Sequence, residues 1–151
     1  MTIAIACDHA AYELKEQIKE FLCGKGFAVK DFGLLSPDPA ADYPDFALPA
    51  SEAVASGECE KGILICGTGV GMSLCANKVK GVRCALCADV FTAEATRQHN
   101  DSNMLALGSR VISGGLAVEI VDKFLSTPFS DAERHIRRIS KITEIENKYS
   151  K

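Results

Sequence analysis

The 151-residue chain has no apolar run approaching the roughly 20 residues that a membrane-spanning helix requires. Its first residues, Met1-Thr2-Ile3-Ala4, carry no basic leader followed by an apolar stretch and cleavage site, so a cytoplasmic location and no membrane partner are expected. Positive charge is not in excess. Seventeen Lys and Arg against 20 Asp and Glu give a formal net charge of −3, which leaves no nucleic-acid footprint in the totals. The pair Cys84 and Cys87 has no second Cys-x-x-Cys to complete four zinc ligands. Three apart on an expected strand, the two point to opposite faces, and no metal is expected. Seven cysteines, an odd count scattered through strand-like and helix-like segments, read as free thiols in a reducing compartment. There is no internal repeat, low-complexity tract or second domain, so one domain over residues 1–151 is expected.

What is present alternates strand with helix. Residues 2–7 are β-branched and apolar. Residues 11–22 repeat Leu14, Ile18, Phe21 and Leu22 at helical spacing and end at Gly24 and Gly26. A strand over 27–32, a loop holding Pro37, Pro39 and Pro44, and a helix over 45–56 follow. Residues 62–66 form an almost continuous apolar run, as in a strand buried on both faces. A glycine loop then opens a helix over 72–79. Strand 82–87, helix 91–99, strand 104–107 and helix 116–125 extend the pattern. Ser130-Asp131-Ala132-Glu133 reads as a capping box opening a last helix, about 131–148, with Ile136, Ile139, Ile142 and Ile145 as its apolar stripe. Repeated β-α units predict a single α/β domain with a parallel sheet and helices on both faces. Ligands of such sheets gather outside the carboxyl ends of the strands.

Those ends carry Asp8-His9, Cys66 with its loop, Asp89, and Gly108-Ser109-Arg110. Gly67, Gly69 and Gly71 let backbone N–H groups converge on an anion, although a tight turn needing glycine only for sterics is the plain alternative. Met72 breaks both the dinucleotide pattern G-x-G-x-x-G and a phosphatase-like Cys-x5-Arg loop, and no Gly-Lys-Ser/Thr is present. Asp89 does sit where a ribose-binding acid would. Taken alone, Cys66 reads as one more core cysteine. Directly before an anion loop and near a helix N-terminus, it becomes a candidate base for a proton alpha to a carbonyl, with the loop holding the oxyanion. His9 and His99 are equally compatible with solvated or capping side chains, and His135 has no distinctive context. Arg134 and Arg138 share one helix face, where like charges repel unless an anion such as phosphate lies between them; a solvated face is the alternative.

Together, Cys7-Asp8-His9, Asp42-Tyr43-Pro44, Ile65-Cys66-Gly67-Thr68-Gly69-Val70-Gly71, Ala76-Asn77-Lys78, Arg97-Gln98-His99-Asn100-Asp101 and Leu107-Gly108-Ser109-Arg110 resemble the ribose-5-phosphate isomerase B family, which includes galactose- and allose-6-phosphate isomerases. The resemblance implies a Rossmann-like fold, a dimer or tetramer, and no metal or nucleotide cofactor. It implies Cys66 as proton acceptor, Thr68 as its partner and His99 as the group that opens the sugar ring. Asp8, His9, Tyr43, Gly67, Thr68, Gly69, Val70, Gly71 and Asn100 resemble sugar-binding positions. Arg110, Arg134 and Arg138, with His9, resemble the phosphate site. Members that lack the cysteine carry glutamate at position 72, and Asp131-Ala132-Glu133 replaces a Gly-Gly-type approach to Arg134. The expected activity is interconversion of ribose 5-phosphate and ribulose 5-phosphate. The alternatives are the same chemistry on a hexose 6-phosphate, a nucleotide-binding regulatory module, and a thiol phosphatase.

Helix direction adds one expectation. Eight residues from 91 to 99 carry His99 about 12 Å away from the edge that holds Cys66. A two-fold dimer would bring the two together, with the last helix at the subunit interface.

Overall fold

In a computed structural model, which describes residues 1–37 and 40–150, five parallel strands carry helices on both faces. The loop reading at Pro39 lies outside the described residues. The strands are β1 (Thr2–Cys7), β2 (Ala28–Asp31), β3 (Lys61–Cys66), β4 (Cys84–Leu86) and β5 (Met104–Gly108), in the order β2-β1-β3-β5-β4. The helices are α1 (Tyr12–Gly24), α2 (Pro44–Ala55), α3 (Val70–Ala76), α4 (Val90–Asn100), α5 (Gly114–Ser126) and α6 (Glu133–Tyr149).

Alternation along the strands divides the core in two. Ile3, Ile5, Cys7, Ile63, Ile65, Leu105 and Leu107 pack against Leu14 and Ile18 of α1, Ala93 of α4, and Ile120 and Phe124 of α5. Ala4, Ala6, Leu64, Cys66 and Met104 pack on the other face against Ala47 and Ala50 of α2 and Met72 and Ala76 of α3. Cys84 and Cys87 fall on opposite faces, as their spacing requires. The short β4 is an edge strand, and strand-like sequence at Val82 and Arg83 is not absorbed into it. Leaving β1, the chain goes one way to β2 and then crosses to the other side for β3. The topological switch point therefore lies between β1 and β3, at the ends carrying Asp8-His9 and Cys66.

The capping box does not form. Asp131 adopts a left-handed conformation at φ 52°, which turns the chain so that α6 begins at Glu133 behind Ala132, and no side chain caps it. Ser130 Oγ accepts from the Ala132 N–H at 3.3 Å and spends its other contact elsewhere. The apolar stripe of α6 is also uncovered: Ile136, Ile142, Ile145 and Tyr149 are exposed, and from this helix only His135 is buried.

Candidate active site

Three strand ends build the carboxyl edge. The Asp8 amide donates to the Ile65 carbonyl at 3.3 Å, which joins the end of β1 to β3. Buried Asp8 caps the 3-10 turn His9–Ala11 through Oδ1 and the Ala10 N–H at 3.0 Å. Ser109 Oγ donates to the Ala10 carbonyl at 2.9 Å and ties β5 to the same turn. His9 Nδ1 lies 3.2 Å from the Ala41 amide, which fixes the ring against the loop before α2. His9, Tyr12, Glu13, Ser109 and Arg110 line a cleft of about 320 Å³ here.

Cys66 ends β3, 5% exposed, and its Sγ accepts from the Gly69 N–H at 3.0 Å. An amide aimed at sulfur is the kind of donor that a charged acceptor strengthens. Thr68 Oγ1 accepts from the Val70 N–H at 3.3 Å. Two loop amides are thus engaged within the loop rather than held open for an anion, and the hydrogen bond to the sulfur comes from Gly69, not Thr68. The glycines answer to sterics as well as to backbone donors. Gly69 has φ +78°, and a Cβ there would meet the Leu107 carbonyl carbon at 2.8 Å. A Cβ on Gly71 would lie 2.7 Å from the Tyr43 ring, so this glycine lets Tyr43 close over the loop from the start of α2. The Arg110 guanidinium lies over Gly67, 3.4 Å from where its Cβ would be. Asp8, His9, Tyr43, Cys66, the loop from Gly67 through Thr68, Gly69 and Val70 to Gly71, and Arg110 are therefore one cluster.

The remaining candidates lie at the other edge. Helix α4 starts after β4, capped by Asp89 through the Thr92 N–H at 2.7 Å, and runs back along the sheet. Asp89 is thus spent as a helix cap, and the ribose-binding alternative loses its acid. At the far end Arg83, just before β4, donates to the carbonyls of Asn100 and Asp101 at 3.0 and 2.7 Å. Arg97 locks the same turn through Asp101 Oδ1 at 2.8 Å and the Ser102 carbonyl at 2.6 Å. This end of α4 packs on α6: the rings of His99 and His135 are 4.6 Å apart. His99, Asn100, Arg134 and Arg138 form a second cluster, and Asn100 lines a groove of about 740 Å³ between the β4 edge and α6.

His135 is the residue that sequence reasoning passed over. It is 4% exposed, its Nδ1 lies 2.7 Å from Ser130 Oγ, and burial with the neighbouring Arg134, His99 and Arg138 charges pushes its imidazole below the ordinary value. Its only sequence signal is its place between the two arginines. Among the described residues no group of three or more His, Cys, Asp or Glu side chains could hold a metal ion. No helix among them is long and apolar enough to cross a membrane.

The comparisons with known proteins agree on one chemistry. Ribose-5-phosphate isomerase B of Escherichia coli is 45% identical over 97% of this chain and 97% of its own length. Galactose-6-phosphate isomerase subunit LacB of Clostridium acetobutylicum is 42% identical over 96% of this chain and 83% of its own. The solved ribose-5-phosphate isomerase B of Clostridium thermocellum superposes with a TM-score of 0.96 at 51% identity, covering 99% of this chain and 100% of that one. With residues 3–142 matching the sequence model of the Ribose/Galactose Isomerase family, this chain belongs to that family of sugar-phosphate isomerases.

Proposed function

We propose that the chain interconverts D-ribose 5-phosphate and D-ribulose 5-phosphate through a cis-enediolate, without metal or nucleotide, in a site completed by a second copy of the chain. The observation that supports this best is the thiol of Cys66, which lies at the switch point of the sheet under a glycine loop, with Tyr43 and Arg110 closing over it. His99 assists opening of the sugar ring. Cys66 then takes the proton from C2 of the open aldose, and the electron pair moves onto O1 to give the enediolate. The loop amides not spent within the loop, with the Thr68 hydroxyl, stabilise that charge. The O2 hydroxyl proton then passes to O1, and the Cys66 thiol returns its proton to C1 as C2–O2 becomes the ketone. Asp8, His9, Tyr43 and Asn100 hold sugar hydroxyls, and Arg110, Arg134 and Arg138, with His9, hold the phosphate.

A second copy is part of the reading because His99, Asn100, Arg134 and Arg138 sit at the amino edge, opposite Cys66. The exposed stripe on α6 offers that copy a surface. Each site would then join Cys66 of one subunit to His99 of the other.

The test compares kcat/KM on ribose 5-phosphate, allose 6-phosphate and galactose 6-phosphate. One added carbon unit discriminates by about 10-fold or more in a fitted pocket, so ribose 5-phosphate should lead by at least that. A hexose phosphate in the lead would overturn the pentose assignment and leave the isomerase chemistry standing. Chelator should leave the rate unchanged, and calorimetry should find no saturable NAD or ATP binding.

A further inference from the structure

His135 has features of a built position rather than of a helix surface. It is the buried residue of α6, between two exposed arginines. Ser130 Oγ holds its Nδ1 at 2.7 Å, and the same hydroxyl accepts the Ala132 N–H. The hydroxyl keeps its proton and a second lone pair for Nδ1, so it holds the ring in either imidazole tautomer. The Gln98 carbonyl belongs to the residue just before His99. The Ser130 amide donates to that same carbonyl at 3.3 Å. The His99 ring then rests on the His135 ring, with centroids 4.6 Å apart and planes tilted by 42°. Ser130, His135 and Gln98 make one brace, and its free face is the wall behind His99.

We propose that His135 is a positioning residue for His99: it fixes the orientation of the His99 imidazole while Arg134 and Arg138 on either side stay turned toward the phosphate. The inference rests on the reading of His99 as the ring-opening group. A side chain at the end of a helix has several rotamers open to it, and proton transfer tolerates little error in placement. A neighbouring ring held by the Ser130 hydroxyl removes that freedom. His135 does not touch substrate in this account. It acts only through His99.

The test is a double-substitution cycle measured as kcat, KM for ribose 5-phosphate, and inhibition by inorganic phosphate. His135→Ala should lower kcat by about tenfold, as loss of a supporting hydrogen-bonded residue commonly does, with phosphate inhibition unchanged. In the His99→Asn background the same substitution should cost nothing further. Ser130→Ala, which removes the clamp and leaves both rings, should show a smaller kcat loss with the same dependence on His99, and it serves if His135→Ala does not fold. Equal kcat losses with and without His99, or weakened phosphate inhibition at constant kcat, would overturn the inference by making His135 part of the anion site. Full activity of His99→Asn alone would instead sink the ring-opening reading, and the inference with it.

Discussion

Cys66 lies nearly buried between β3 and the glycine loop, and Cys66→Ala removes a sulfur atom with little else. With Cys66 as the proposed base, its loss should lower isomerisation by at least about 10²–10⁴, with circular dichroism and phosphate affinity unchanged. A variant with near-normal kcat would make the thiol structural. Lys15 is the buried charge that no sequence pattern announced: fully enclosed, it donates to Asp31 Oδ2 at 2.8 Å and to the Leu34 carbonyl at 2.5 Å. Burial alone would raise the Asp31 carboxyl, but hydrogen bonds from Lys15, Lys19 and the Gly33 amide outweigh it and hold it below its ordinary value. A depressed carboxyl contributes stability that is present above the unfolded value and lost as pH falls through the folded one. Lys15→Met should therefore cost about 3 kcal/mol in urea unfolding at pH 7, and its deficit against the parent should shrink below about pH 4. A pH-independent deficit would show that packing, not the ion pair, carries the effect.

Among elements, the loop between β3 and α3 leaves no room for a side chain at Gly69. Gly69 combines a left-handed φ with the Leu107 carbonyl against its missing Cβ, whereas Gly26 has a similar φ of +83° and open space. Gly69→Ala should then cost about 2–4 kcal/mol and distort Cys66, because strain and overpacking add. Gly26→Ala should cost only about 1 kcal/mol, for φ alone. Equal costs in chemical denaturation would mean that the close approach to β5 is not what requires glycine. The far end of α4 is held as firmly, since Arg97 stacks over the Phe124 ring while bonding Asp101 and Ser102. That grip explains why the motif around His99 contains an arginine and an aspartate that the proposed chemistry never uses.

At the scale of the molecule, the candidate residues form two groups at opposite edges of one sheet, and the last helix presents Ile145 at 61% and Tyr149 at 75% exposure. Refolding Cys66→Ala and His99→Asn chains together tests the two-copy site. Random pairing makes about half of the dimers mixed, each with one intact site of two, so about a quarter of parental activity should return. A mixture as inactive as its components, after exchange is demonstrated, would end the shared-site reading.

The sequence by itself determined the alternation of strand and helix, the two-sided burial of β3, the loop after Cys66 and the family motifs, because hydrophobic period and glycine spacing are local properties. It also separated His99 from Cys66, since helix direction and rise are local too. It could not determine that Asp89 would be consumed as a cap or that Ser130 would turn from capping α6 to holding His135. Nor could it determine that Lys15 would lie under Asp31 and Leu34. Those outcomes depend on which polar group meets which across tens of residues. Only the assembled sheet, with α4 laid against α6 and α1 against the end of β2, decided them.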